Sequence, residues 1–138
     1  SILQSPMPLQ HMSVNTIDEG ESDAMIIHYY NISMTRGDTA SLIVKMRDLE
    51  GNPVPFQPGD VVYFTIKKSA DVVEKVLQKQ ITEFVDGNAE IYILHEDTKD
   101  LATGDYVYDI QVNRIENQSV TTIIPPSRFS LSKEVTYE

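Results

Sequence analysis

The run Met34-Thr35-Arg36-Gly37-Asp38-Thr39, followed at once by Ala40-Ser41-Leu42-Ile43-Val44-Lys45-Met46-Arg47-Asp48, decides the fold class of this chain. Arg36-Gly37-Asp38 supplies turn chemistry, because glycine reaches backbone angles that other residues avoid. After it, Ala40, Leu42, Val44 and Met46 fall on one face, with Ser41, Lys45 and Arg47 on the other and Ile43 alone breaking the polar side. That period of two is the signature of a half-buried strand. A second run, Gly104-Asp105-Tyr106-Val107-Tyr108-Asp109-Ile110-Gln111-Val112, repeats the pattern of a glycine turn and then alternation. Tyr106, Tyr108, Ile110 and Val112 share its apolar face.

Working outward, Met25 opens a β-forming stretch in which Ile26–Ile32 reads as a first strand. Leu49-Glu50-Gly51-Asn52-Pro53 is a turn, and Pro53, Pro55 and Pro58 keep the next residues out of a regular ladder. Gly59-Asp60 introduces a strand with Val62, Phe64 and Ile66 inward and Thr65 and Lys67 outward. Residues 71–84 fit both a helical and an alternating period; a turn through Ala70–Glu74 and a strand from Val76 to Phe84 is the preferred reading. It makes Asp86-Gly87-Asn88 a hairpin turn into Ala89–Leu94. A helical turn is expected near 97–102. Val120–Ile124 reads as a strand that Pro125-Pro126 breaks, with Phe129 and Leu131 opening the last one. Seven or eight short strands at this spacing predict an all-β, immunoglobulin-like antiparallel sandwich. Its expected core is Leu42, Val44, Met46, Val62, Phe64, Ile66, Ile91, Ile93, Tyr106, Tyr108, Ile110, Val112, Phe129 and Leu131.

The 138 residues suit one domain, and 41% hydrophobic residues with seven Tyr and four Phe suffice for its core. Residues 25–138 are read as that domain and 1–24 as a flexible arm. His11-Met12 resembles a cloning junction, which assigns Ser1–His11 to vector sequence and leaves Met12 and Met25 as alternative starts. The absence of cysteine excludes disulfides, thiolate metal sites and thiol nucleophiles. No apolar run approaches the ~18 residues that cross a bilayer, so no membrane partner is expected. The net charge of −10, with only short basic clusters such as Lys67-Lys68, speaks against nucleic acid.

No catalytic constellation emerges. His11, His28 and His95 have no zinc spacing, and His95-Glu96-Asp97 with Asp100 lacks the pattern of a calcium loop. Asp105 and Asp109 are about 13 Å apart along a strand, too far for a glycosidase pair. Serine-nucleophile and phosphate-cradling motifs are missing. The expectation is no enzyme, no catalytic residue, no cofactor and no metal. Arg36-Gly37-Asp38 reads as a turn rather than an adhesion ligand, and Tyr106 and Tyr108 as core or tyrosine-corner residues. Candidate interaction residues are Ile27, on an apolar first strand suited to edge pairing, and Tyr29, Tyr63 and Tyr92, each off the apolar face of its strand.

Over about residues 32–137, the Met34–Thr39 turn, Asp48–Pro53, Gly59–Lys68, Glu96–Thr98, Gly104–Val112 and Ile124–Phe129 resemble the N-terminal domain of phage baseplate upper proteins. They are also similar to related small structural proteins of phages and prophages of Gram-positive bacteria. The resemblance implies a non-enzymatic tail or baseplate module in the virion, assembled in the host cytoplasm and docking on other tail proteins or on copies of itself. It carries over no active site. The sequence departs by stopping soon after the sandwich, before any long helical linker or receptor-binding-protein docking region of a baseplate protein, so no bridging role is expected from the resemblance. The alternative, from a different class, is a carbohydrate- or cell-surface-binding sandwich that uses Tyr29, Tyr63 and Tyr92.

Overall fold

The computed structural model describes residues 15–20 and 24–135. These form the predicted all-β sandwich, with nine strands in two sheets among the described residues. The three-stranded sheet has the order β1 (Thr16–Glu19), β4 (Ala40–Lys45), β7 (Ala89–Ile93). The six-stranded sheet has the order β2 (Met25–His28), β3 (Asn31–Thr35), β9 (Val120–Ser132), β8 (Gly104–Asn113), β5 (Val61–Lys67), β6 (Leu77–Ile81). A short helix, α1 (His95–Thr98), links β7 to β8.

The alternating faces meet between the sheets. Leu42, Val44, Ile91 and Ile93 from the small sheet are buried against Val62, Phe64, Ile66, Tyr108, Ile110, Val112 and Phe129 from the large one. Each such side chain contributes about 1.5–3 kcal/mol by leaving water. Of the predicted core only Met46 is merely half-buried, because β4 ends at Lys45. Ile17, Met25, Ile32, Met34, Phe56, Ile123 and Ile124 join the core as well.

Five expectations are corrected. Ile26–Ile32 is not one strand: Tyr29 takes φ +58° and folds it into the β2–β3 hairpin, with His28 facing Asn31. The arm assigned to 1–24 contributes a strand, since Thr16–Glu19 pairs with β4 and buries Ile17; the vector assignment of Ser1–His11 lies outside the described residues. The pairing is not wholly antiparallel, because β3 runs parallel to β9 from Ile32↔Phe129 to Thr35↔Ser132. The helical turn begins at His95 rather than near 97, since the Asp97 carboxylate accepts from the Leu94 amide (2.7 Å) and so caps the helix earlier. Finally, Pro125-Pro126 does not end a strand. Tyr108 faces Ser127 and Ile110 faces Ile124, so the two prolines lie opposite Asp109 alone. The strand absorbs them in a bulge, where a missing N–H breaks no ladder bond.

The preferred reading of 71–84 holds in type, with the strand shortened to Leu77–Ile81. The Asp86-Gly87 turn also forms, at φ +55° and +77°, with Val85 and Asn88 exchanging both backbone bonds. The strands it connects, however, belong to different sheets: the turn carries the chain across the sandwich. Gly87 is required there twice, by its positive φ and because a Cβ would stand 2.5 Å from the Pro55 Cβ.

Candidate functional site

The four predicted interaction residues do not converge. Tyr63 points outward from the six-stranded sheet, between Gln80 and Gln111 in register. Tyr92 points outward from the three-stranded sheet, 53% exposed, with its hydroxyl donating to Glu90 (3.2 Å). These two rings therefore face opposite sides of the molecule. Tyr29 sits at the tip of the β2–β3 hairpin, 84% exposed and edge-on to His28 at 4.6 Å. A sugar platform needs two or three rings on one surface, and these three share none. Ile27 packs against the core, and it is Ile26, 64% exposed, that faces out of β2. The outward residue of that edge is one position from the predicted one.

The Arg36-Gly37-Asp38 turn is engaged by its own fold. Gly37, at φ +85°, donates its amide to the buried Thr98 hydroxyl (2.8 Å), and its carbonyl bonds His95 Nδ1 (2.7 Å). Arg36 donates to the Leu101 carbonyl (2.9 Å) and pairs with Glu134 (2.9 Å). The turn is thus a socket for α1. The acidic group on and just after α1 is similarly committed: Asp97 pairs with Lys79 and Asp100 with Lys99, each at 2.8 Å. Among the described residues no three His, Cys, Asp or Glu side chains gather as metal ligands. No helix among them is long and apolar enough to cross a membrane.

Tyr106 donates its hydroxyl to the Ala102 carbonyl (2.6 Å), four residues upstream, which is the geometry of a tyrosine corner. Tyr108 is fully buried, stacked on Phe64 at 5.2 Å with its hydroxyl on the Tyr30 carbonyl. Burial pushes its phenol pKa well up. Sequence reasoning missed Asp60, which is completely buried. Its carboxylate accepts from the Gln57 and Ile115 amides (2.8 Å each) and lies 3.2 Å from Arg114 Nε. That guanidinium contact is poorly aligned for a hydrogen bond, so its attraction is mainly coulombic. A polar residue just after a strand-opening glycine was the available signal.

Asp109 lies half-buried opposite the proline bulge, and burial raises its carboxyl pKa, with Lys67 opposing more weakly. A folded pKa above the unfolded one means that stability falls as pH rises through the two values and stays lower above them. Asp109→Asn should therefore raise the denaturation midpoint at pH 7 and leave it unchanged at pH 3. Equal midpoints at both pH values would refute this.

Two grooves flank that bulge on the outer face of the six-stranded sheet. A small one is lined by Thr65, Lys67 and Asp109. The larger, about 580 Å³, lies between Ala70 and Lys68 on one side and Pro126, Ser127 and Arg128 on the other, over Val107. Comparison with protein-family models and with curated proteins returns no match for this chain.

Proposed function

We propose that this chain is a non-enzymatic structural module of a phage or prophage virion, in its tail or baseplate, that acts by docking on other tail proteins. The observation that carries this reading is the β2 edge. Among the described residues β2 has β3 as its only ladder partner, and it presents Ile26 and the Tyr29 tip outward. Strand edges of this kind bind partners through backbone bonds without needing a deep pocket. The sequence resemblance supplies the class of partner, and its turn and core positions are those that frame the sandwich. The edge is equally open to a second copy, so the isolated chain can also form a homo-oligomer.

Mass spectrometry of purified particles tests the virion assignment, and co-purification with neighbouring tail proteins tests docking. Ile26→Lys should abolish co-purification while shifting the unfolding free energy by no more than about 0.5 kcal/mol, as expected of an exposed site. A chain missing from particles, or an Ile26→Lys variant that docks normally, would overturn the reading.

A further inference from the structure

Five of the eleven Lys and Arg residues form ion pairs within the described residues: Arg36, Lys45, Lys79, Lys99 and Arg114. In a chain of net charge −10, acid is abundant, so cations that form no such pair stand out. Three of them, Lys67, Lys68 and Arg128, gather around one feature. Lys67, Val107 and Arg128 occupy a single cross-strand row over β5, β8 and β9, on the outer face of the six-stranded sheet. Lys68 follows on the loop whose Ala70 forms one wall of the larger groove, and Pro126 forms the other.

One acid, Asp105, lines the larger groove itself, against the two cations Lys68 and Arg128. Asp105 accepts a hydrogen bond from Ser130 Oγ (2.6 Å), and Asp109 sits across the row in the smaller groove, where it faces Lys67. That leaves Lys68 and Arg128, both exposed, flanking a floor of Val107 between the side chains of Ala70 and Pro126. The volume of about 580 Å³ falls in the range of sites that hold a few side chains. The floor is a pleated sheet surface, against which an extended chain lays alternate side chains.

We infer that the groove between the 68–70 loop and the Pro125-Pro126 bulge binds an extended acidic peptide segment of a protein partner. A carboxylate sits between Lys68 and Arg128, and a small apolar side chain rests on Val107. The apolar walls favour a peptide over a polyanionic glycan, because a sugar polymer would leave Ala70, Val107 and Pro126 without apolar contacts. This surface deepens the docking role proposed above and rests on it for the partner being a protein. It lies over β8 and β9 and reaches Asn31 of β3, the strand next to the β2 edge.

The test is a nuclear magnetic resonance titration of the full chain with two short synthetic peptides, one alternating glutamate with alanine and one alternating lysine with alanine. A sulfated oligosaccharide serves as a third probe. The glutamate peptide should shift the amides of Ala70, Val107 and Arg128 saturably. Its affinity should fall at least about tenfold in the Lys68→Glu, Arg128→Glu double variant, and should weaken as salt rises from about 50 to about 300 mM. Unchanged core amide shifts confirm that the variant is folded. An equal response to the lysine peptide, shifts centred elsewhere, a response to the oligosaccharide alone, or no shift at about 2 mM peptide would each overturn the assignment. Particle mass spectrometry can fail while this titration succeeds, and the reverse, so the two readings fall separately.

Discussion

Asp60→Ala is expected to destabilise the domain by about 3–5 kcal/mol, the range for removing one partner of a buried charge pair. Two effects add. The Gln57 and Ile115 amides lose their acceptor, and Arg114, whose side chain is only 14% exposed, loses its counter-charge. The position matters because Asp60 joins three segments: the 53–60 loop, the start of β5 and the turn after β8. Alanine therefore loosens the end of the sandwich where those segments meet. Urea denaturation of the two proteins side by side measures the change. Asp60→Asn separates the contributions, since it retains an acceptor oxygen but removes the charge, and its loss should be smaller. A change below about 1 kcal/mol for Asp60→Ala would show that water readily replaces the carboxylate.

Tyr108→Ala is expected to cost a similar 3–5 kcal/mol, for a different reason. The ring stacks on Phe64 at 5.2 Å and meets Phe129 edge-on at 6.4 Å, so its loss opens a cavity at the centre of the large sheet's inner face. The hydroxyl has its own role: it donates to the Tyr30 carbonyl in the β2–β3 hairpin. Tyr108→Phe keeps the packing and leaves that carbonyl unpaired, a loss of about 1 kcal/mol. Because the bond holds the hairpin, Tyr108→Phe should also speed amide exchange in β2 and β3. Denaturation midpoints for both variants, with hydrogen exchange for the second, decide the matter. An unchanged midpoint for Tyr108→Ala would contradict the ring's central place.

What could be read from the sequence follows from how far each signal reaches. Alternation is local, so the phases of Ala40–Val44, Val62–Ile66 and Tyr106–Val112 were legible and their core faces are buried as expected. Ile26-Ile27 offers two similar residues in succession, which leaves the phase open until the hairpin turn is known. That turn rests on Tyr29 in a left-handed conformation, without the glycine or asparagine that normally announces it. The Asp86-Gly87 turn was legible as a turn, but local chemistry does not say in which sheet each arm lies. Pro125-Pro126 carries a true breaker signal, and only the pairing of β9 with β8 reveals that a bulge absorbs it. The groove was out of reach for the same reason. Lys67 and Arg128 come into one row, on either side of Val107, through two ladders that span nearly half the chain, and no motif records such an alignment.

The parallel ladder between β3 and β9 bears on how the domain comes into being. It joins residues 97 positions apart, as in the bond from the Arg128 amide to Asn31, and it is the ladder by which the β2–β3 hairpin joins its sheet. Closing so long a loop costs entropy before any contact repays it, and such topologies fold slowly. During synthesis the hairpin must wait until residue 132 has left the ribosome. Until then the inner sides of Ile32 and Met34 stay uncovered, which exposes a nascent chain to misassociation. Completion of this sheet therefore waits for β9, the last strand among the described residues.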